Sequence, residues 1–82
     1  MPISLSEYEQ LSKRLQCVVL YQAGIPLMPR MHGRQYIMLY SLGNFYVEAS
    51  WWRDHELKYI YAFKSTSELA PYLDSINWRE FV

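Results

Sequence analysis

The chain has 82 residues, 51% hydrophobic and 17% aromatic, with eight Lys and Arg balanced by eight Asp and Glu. That length makes one small domain, residues 1–82, with a stability of ~5–10 kcal/mol. The neutral charge balance supplies no global field to recruit nucleic acid or an anionic membrane surface, and no apolar run approaches the ~20 residues of a membrane span.

The first residues lack the basic-then-apolar pattern of a leader, and the single Cys17 excludes an internal disulfide framework. A cytoplasmic protein with a reduced, buried Cys17 is the expectation. Ser6-Glu7-Tyr8-Glu9 carries the pattern of a capping box, a serine with a glutamate three residues on, and Leu5 is placed to staple the start. Tyr8, Leu11, Leu15 and Val18 or Val19 follow at three- and four-residue steps, so one amphipathic helix is predicted to bury that stripe. Gly24 and Pro26 mark its end.

Residues 25–34 contain Pro26 and Pro29, which forbid a central strand. They suit either a short edge strand, turning at His32-Gly33 with Leu27 opposite Met38, or a plain loop. Beyond them, Gln35–Leu42 and Phe45–Trp52 are two runs rich in aromatic and β-branched residues around Gly43-Asn44. Glycine at the first turn position supplies the positive φ of a type II′ hairpin. The two-residue loop sets Leu42 opposite Phe45, Tyr40 opposite Val47, Met38 opposite Ala49 and Tyr36 opposite Trp51. That apolar set is the predicted core face, with Trp51 largely buried and Trp52 more exposed. The other face collects Ser41, Leu39, Ile37 and Gln35 against Tyr46, Glu48, Ser50 and Trp52.

The third strand, Leu57–Phe63, follows Arg53-Asp54-His55-Glu56. An odd loop puts Leu57, Tyr59, Tyr61 and Phe63 on the core face; an even one sends them to the other side. Burial favours the odd loop, with Lys64 then diagonal to Glu48. Ser65-Thr66-Ser67-Glu68 is a second capping pattern, followed by Leu69, Tyr72, Leu73 and Ile76 at helical spacing, with Trp78 and Phe81 placed to pin the tail. The fold class is therefore α+β: an N-terminal helix, a three- or four-stranded antiparallel meander, and a short C-terminal helix.

No P-loop, dinucleotide-binding glycine pattern, zinc-protease motif or paired-cysteine motif is present, so no enzyme, cofactor or metal site is expected. The outer sheet face, with Ile37, Leu39, Tyr46 and Trp52, is the predicted interaction surface for a protein partner or a second copy. The two turns at one end of the sheet would gather Arg30, His32, Arg34, Arg53 and His55, a weak anion-site candidate. Turns are also where charged residues ordinarily sit. Base-stacking tyrosines on a sheet suggest RNA, but a neutral chain lacks the counterion-release contribution, and nucleic acid is not expected.

The run Tyr40-Ser-Leu-Gly-Asn-Phe-Tyr-Val-Glu48, with Ala62-Phe63 and Leu69-Ala-Pro-Tyr-Leu73, resembles a family of small uncharacterised bacterial proteins over residues 36–76. The resemblance implies a bacterial, cytoplasmic setting and transfers no functional residue. The function expected is a non-catalytic protein–protein interaction module, self-association through the outer sheet face included; the alternative is a small anion-, ligand- or nucleic-acid-binding domain using the cationic turn end of Arg30, Arg34 and Arg53.

Overall fold

The computed structural model describes residues 3–64 and 66–69. Ser4, not Ser6, caps the first helix, α1, Leu5–Glu9. The Ser4 hydroxyl accepts from the Glu7 N–H at 3.1 Å, and the Glu7 carboxylate accepts from the Ser4 N–H at 3.0 Å. The Ser4 backbone N–H foremost, and then the Ser4 side chain, hold the Glu7 carboxyl below its usual pKa by hydrogen-bonding the carboxylate.

The predicted single helix is broken. A second helix, α2, Lys13–Ala23, starts at the Ser12 cap, whose side chain accepts from the Leu15 N–H. The reason lies in helical phase. On an unbroken helix Tyr8 and Leu20, twelve positions apart, would point roughly 120° away from each other. The break at residues 10–12 lets both enter the core, where they are buried together. It also turns Leu15, expected to be buried, out to solvent, and of the Val18-or-Val19 alternative it is Val19 that packs against the core. A reciprocal clamp holds the corner: the Tyr8 hydroxyl donates to the Gln16 carbonyl at 2.9 Å, and the Gln16 amide donates to the Tyr8 carbonyl at 3.0 Å.

Four strands follow: β1, Ile25–His32; β2, Gln35–Leu42; β3, Phe45–Trp52; and β4, Leu57–Phe63. They form one antiparallel meander in the order β1-β2-β3-β4. The β2–β3 register is the predicted one at all eight pairs, from Gln35–Trp52 to Leu42–Phe45. Gly43 has φ +67° and Asn44 is not in the left-handed region, as a type II′ turn requires. Residues 25–32 are a strand, at the sheet edge where prolines are tolerated. The turn is Gly33-Arg34, so Pro29, not Leu27, faces Met38; a bulge between Pro26 and Met28 leaves Leu27 exposed.

At the third turn the loop is odd, but the face it was expected to dictate is reversed. The Trp52 N–H donates to the Glu56 carbonyl and the His55 N–H to the Trp52 carbonyl, enclosing Arg53-Asp54-His55. Leu57 then faces Trp51, but Lys58 is bulged out and Tyr59 pairs with Ser50. The bulge moves Tyr59, Tyr61 and Phe63 to the face opposite the helices and puts Ile60 and Ala62 under them. The reason is steric. Ala62 and Ile60, beside Val47 and Ala49, leave room for the helices, whereas Phe63 stacks on Tyr46 and Tyr61 at ring-centroid distances of 5.7 and 5.6 Å. Glu48 accordingly accepts from Arg30 and Tyr59, not from Lys64.

The sheet thus has a core on each face. On the helix side Tyr8, Leu20, Leu42, Phe45, Val47 and Ala49 are buried together. On the other side Ile37, Leu39 and Phe63 are buried with Met28, Tyr46 and Leu69 packed against them. Leu69 ends a short 3-10 turn, Thr66–Leu69, and the helix expected beyond it lies outside the described residues, as do Trp78 and Phe81. Among the described residues no helix is long and apolar enough to cross a membrane.

Candidate functional site

The predicted interaction surface is corrected by the second core. Ile37, Leu39, Tyr46 and Trp52 do share a face, but Ile37 is 1% and Leu39 3% exposed, and Tyr46 is half-buried. Of the four only Trp52, 39% exposed, is open to a partner. Phe63, sent there by the bulge at Lys58, closes over the aliphatic pair together with Met28 and Leu69.

The open surface is on the opposite face. Tyr36, Met38 and Tyr40 alternate along β2 and point to the helix side, with Trp51 of β3 directly opposite Tyr36. The helices pack over the other end of that face, where Leu20 and Tyr8 meet Phe45, Val47 and Ala49. The end near the turns is left uncovered. Tyr36 is 40% exposed there, and its ring centroid lies 6.2 Å from that of Trp51 at an interplanar angle of 41°. Tyr36, Met38, Tyr40, Trp51 and Trp52, with Arg53 and His55 at one rim, enclose a groove of about 580 Å³. A second hollow of about 460 Å³ shares Tyr40 and Trp51 with it and runs on to Cys17, Tyr21 and Gly24 of α2. Cys17 lines the second hollow as a half-buried free thiol, not a fully buried one.

Period-two alternation puts Tyr36, Met38, Tyr40 and Trp51 on the core face; Tyr40 and Trp51 do pack against the helix-side core, while the groove that all four also line was not expected. The unbroken helix expected up to Gly24 would have matched a strand in length, so only its break exposes the shortfall. An eleven-residue helix spans roughly 16 Å, while an eight-residue strand runs roughly 27 Å. Helices of this size leave part of one face bare.

The electrostatics of the groove are one-sided. Among the described residues its charged lining is Arg53, with His55 beside it, and no carboxylate. The Asp54 carboxylate is turned into the loop, accepting from the Glu56 N–H at 3.1 Å. His32 and Arg34 are exposed on the neighbouring turn, at the same end of the sheet. Arg30 does not join them. It sits on the other face, 2.9 Å from the Glu48 carboxylate. Of the five anion-site candidates the structure therefore places Arg53 and His55 on the groove, His32 and Arg34 near it, and Arg30 elsewhere. Burial, then Tyr36 and Cys17, push the Tyr40 phenol above its usual pKa, so it stays a neutral hydrogen-bonding group on the groove floor. Lys58 lies over the Trp52 ring, 4.5 Å from its centroid, at the same end of the sheet. Among the described residues no three His, Cys, Asp or Glu side chains are grouped as a metal site would need. No protein-family model, no curated protein and no solved structure matches this chain.

Proposed function

We propose that this chain is a non-catalytic protein-interaction module that docks a partner in the aromatic groove on the helix side of its sheet. The observation that carries the reading is the placement of Tyr36 and Trp51. They are a cross-strand aromatic pair in which Tyr36 is 40% exposed while Trp51 is partly buried against the helix-side core. Exposed aromatic anchors flanked by half-buried apolar side chains are the composition from which interface hot spots are built. Tyr21 extends the same surface along α2, with 92% of its area exposed. A cytoplasmic setting goes with this reading, in keeping with Cys17 as a free thiol.

Site-specific photocrosslinking in the producing cell tests it. A photoreactive phenylalanine analogue placed at Tyr36 is expected to give a discrete protein adduct. The same group at Tyr61, equally exposed but on the opposite face, is expected to give none. Adducts from Tyr61 alone, or none from Tyr36, would overturn the docking role.

A further inference from the structure

We infer that the occupant of this groove is an extended, proline-containing peptide segment with a carboxylate about two residues from the proline. The inference rests on the docking role proposed above and adds the chemistry of the partner. Tyr36 and Trp51 lie 6.2 Å apart and tilted by 41°, which is too close for a flat ring to slide between them. They form instead a shallow, rigid V. A pyrrolidine ring is compact and convex, and a segment held by proline in the polyproline II form loses little entropy on docking, which is why aromatic grooves select it.

The charge at the rim selects what lies next to that ring. Arg53 and His55 stand at one end of the groove, and among the described residues no carboxylate lines it. The favoured neighbour is therefore an anion, and a carboxylate matches the planar guanidinium fork. Arg53 follows Trp51 by two residues, a reach of at most roughly 7 Å, which a polyproline II segment covers in about two residues.

His55 supplies an independent argument. It has φ +69°, and among the described residues it is the one non-glycine in the left-handed region. Three-residue hairpin loops ordinarily place glycine there, because a side chain at that φ is strained. The fold accepts that strain and presents an imidazole beside Arg53 at the rim, as expected of a residue held for binding rather than for the turn.

Intrinsic Trp fluorescence, titrated with synthetic peptides and an oligonucleotide, tests the proposal. The probes are a proline–glutamate peptide, its proline–lysine and alanine–glutamate counterparts, and a single-stranded RNA of matched length. The wild-type chain is expected to bind the proline–glutamate peptide at least tenfold more tightly than any of the other three. Arg53→Gln and Tyr36→Ala are each expected to weaken binding about tenfold or more, with the circular dichroism spectrum unchanged. His55→Gly is expected to raise the Tm by relieving the left-handed strain and yet to weaken binding several-fold, a split that a purely structural role cannot give. Equal binding of the lysine peptide, stronger binding of the RNA, or full affinity in His55→Gly would overturn the inference. So would a Tyr36 crosslink to a second copy of this chain, seen as an adduct of twice its mass. A Tyr36 adduct with another protein, together with no binding of the proline–glutamate peptide, would overturn the peptide chemistry while leaving the docking role standing.

Discussion

Arg30 of β1 and Glu48 of β3 meet across the intervening strand β2, guanidinium to carboxylate at 2.9 Å, with their side chains only 19% and 13% exposed. The Tyr59 hydroxyl of β4 donates to the same carboxylate at 3.3 Å, so Glu48 ties β1 and β4 to its own strand β3 in one network. Removing one member of a pair this enclosed leaves the other charge with little water to replace it. Glu48→Ala is therefore expected to lower stability by ~2–3 kcal/mol in urea denaturation. Peptide affinity at the groove, on the other face, should not change. A loss below about 0.5 kcal/mol would place this pair with ordinary surface ion pairs.

Leu39 and Tyr36 are three residues apart on β2 and face opposite ways, one buried and one half open. Leu39→Lys forces an ammonium into the second core and is expected to unfold the domain, since a cost above ~4 kcal/mol approaches its whole stability. Tyr36→Lys should leave the fold intact within ~1 kcal/mol. Circular dichroism of the two variants side by side reads the difference. A folded Leu39→Lys protein would mean that the Ile37–Leu39 face is open after all.

Gly24 closes α2 without adopting the left-handed form, at φ −73° and ψ 137°. Its role is proximity: a Cβ there would lie 2.5 Å from the Leu20 carbonyl oxygen and 2.9 Å from the Leu20 Cδ1. Leu20 is the α2 residue buried in the helix-side core. Gly24→Ala is thus expected to lower stability by ~1–3 kcal/mol, as overpacking does, and to lower the Tm in calorimetry. An unchanged Tm would show that the α2–β1 junction can shift to admit a methyl group.

Alkaline pH should weaken the fold through its tyrosines. Burial pushes Tyr8 and Tyr40 above the usual phenol pKa, and burial followed by the Glu48 charge does the same for Tyr59. A raised folded-state pKa means the folded chain keeps protons that the unfolded chain gives up. Stability from these groups is therefore complete below the unfolded value of 10.0 and falls as pH rises above it toward the folded values. Tyr8→Phe tests the largest of the three. It removes the hydrogen bond to the Gln16 carbonyl, for a loss of ~1–2 kcal/mol at pH 7. It should also flatten the decline between pH 10 and 12, measured as urea midpoint against pH. An unaltered alkaline decline would assign that slope to other groups.

What the amino-acid order determined by itself is the local geometry. Gly43-Asn44 sets a two-residue turn, and strict alternation on both sides of it pins eight pairs, because a one-residue slip would exchange every buried side chain for an exposed one. The edge position of β1 is legible in Pro26 and Pro29 for the same kind of reason, a missing N–H. Tertiary structure decided the rest. The start of the first helix fell to Ser4 over Ser6, and its break at residues 10–12 fell to the need to bring Tyr8 and Leu20 to one core. The bulge at Lys58 reversed the faces of β4 after an odd loop, because Ala62 fits under the helices and Phe63 does not have to. Those two outcomes together closed the face of Ile37 and Leu39 and left Tyr36 open, with Trp51 partly buried beside it. Period-two patterning states that two faces differ. Which of them a short helix covers, and how far, depends on contacts between segments distant in the chain, and no local pattern encodes those.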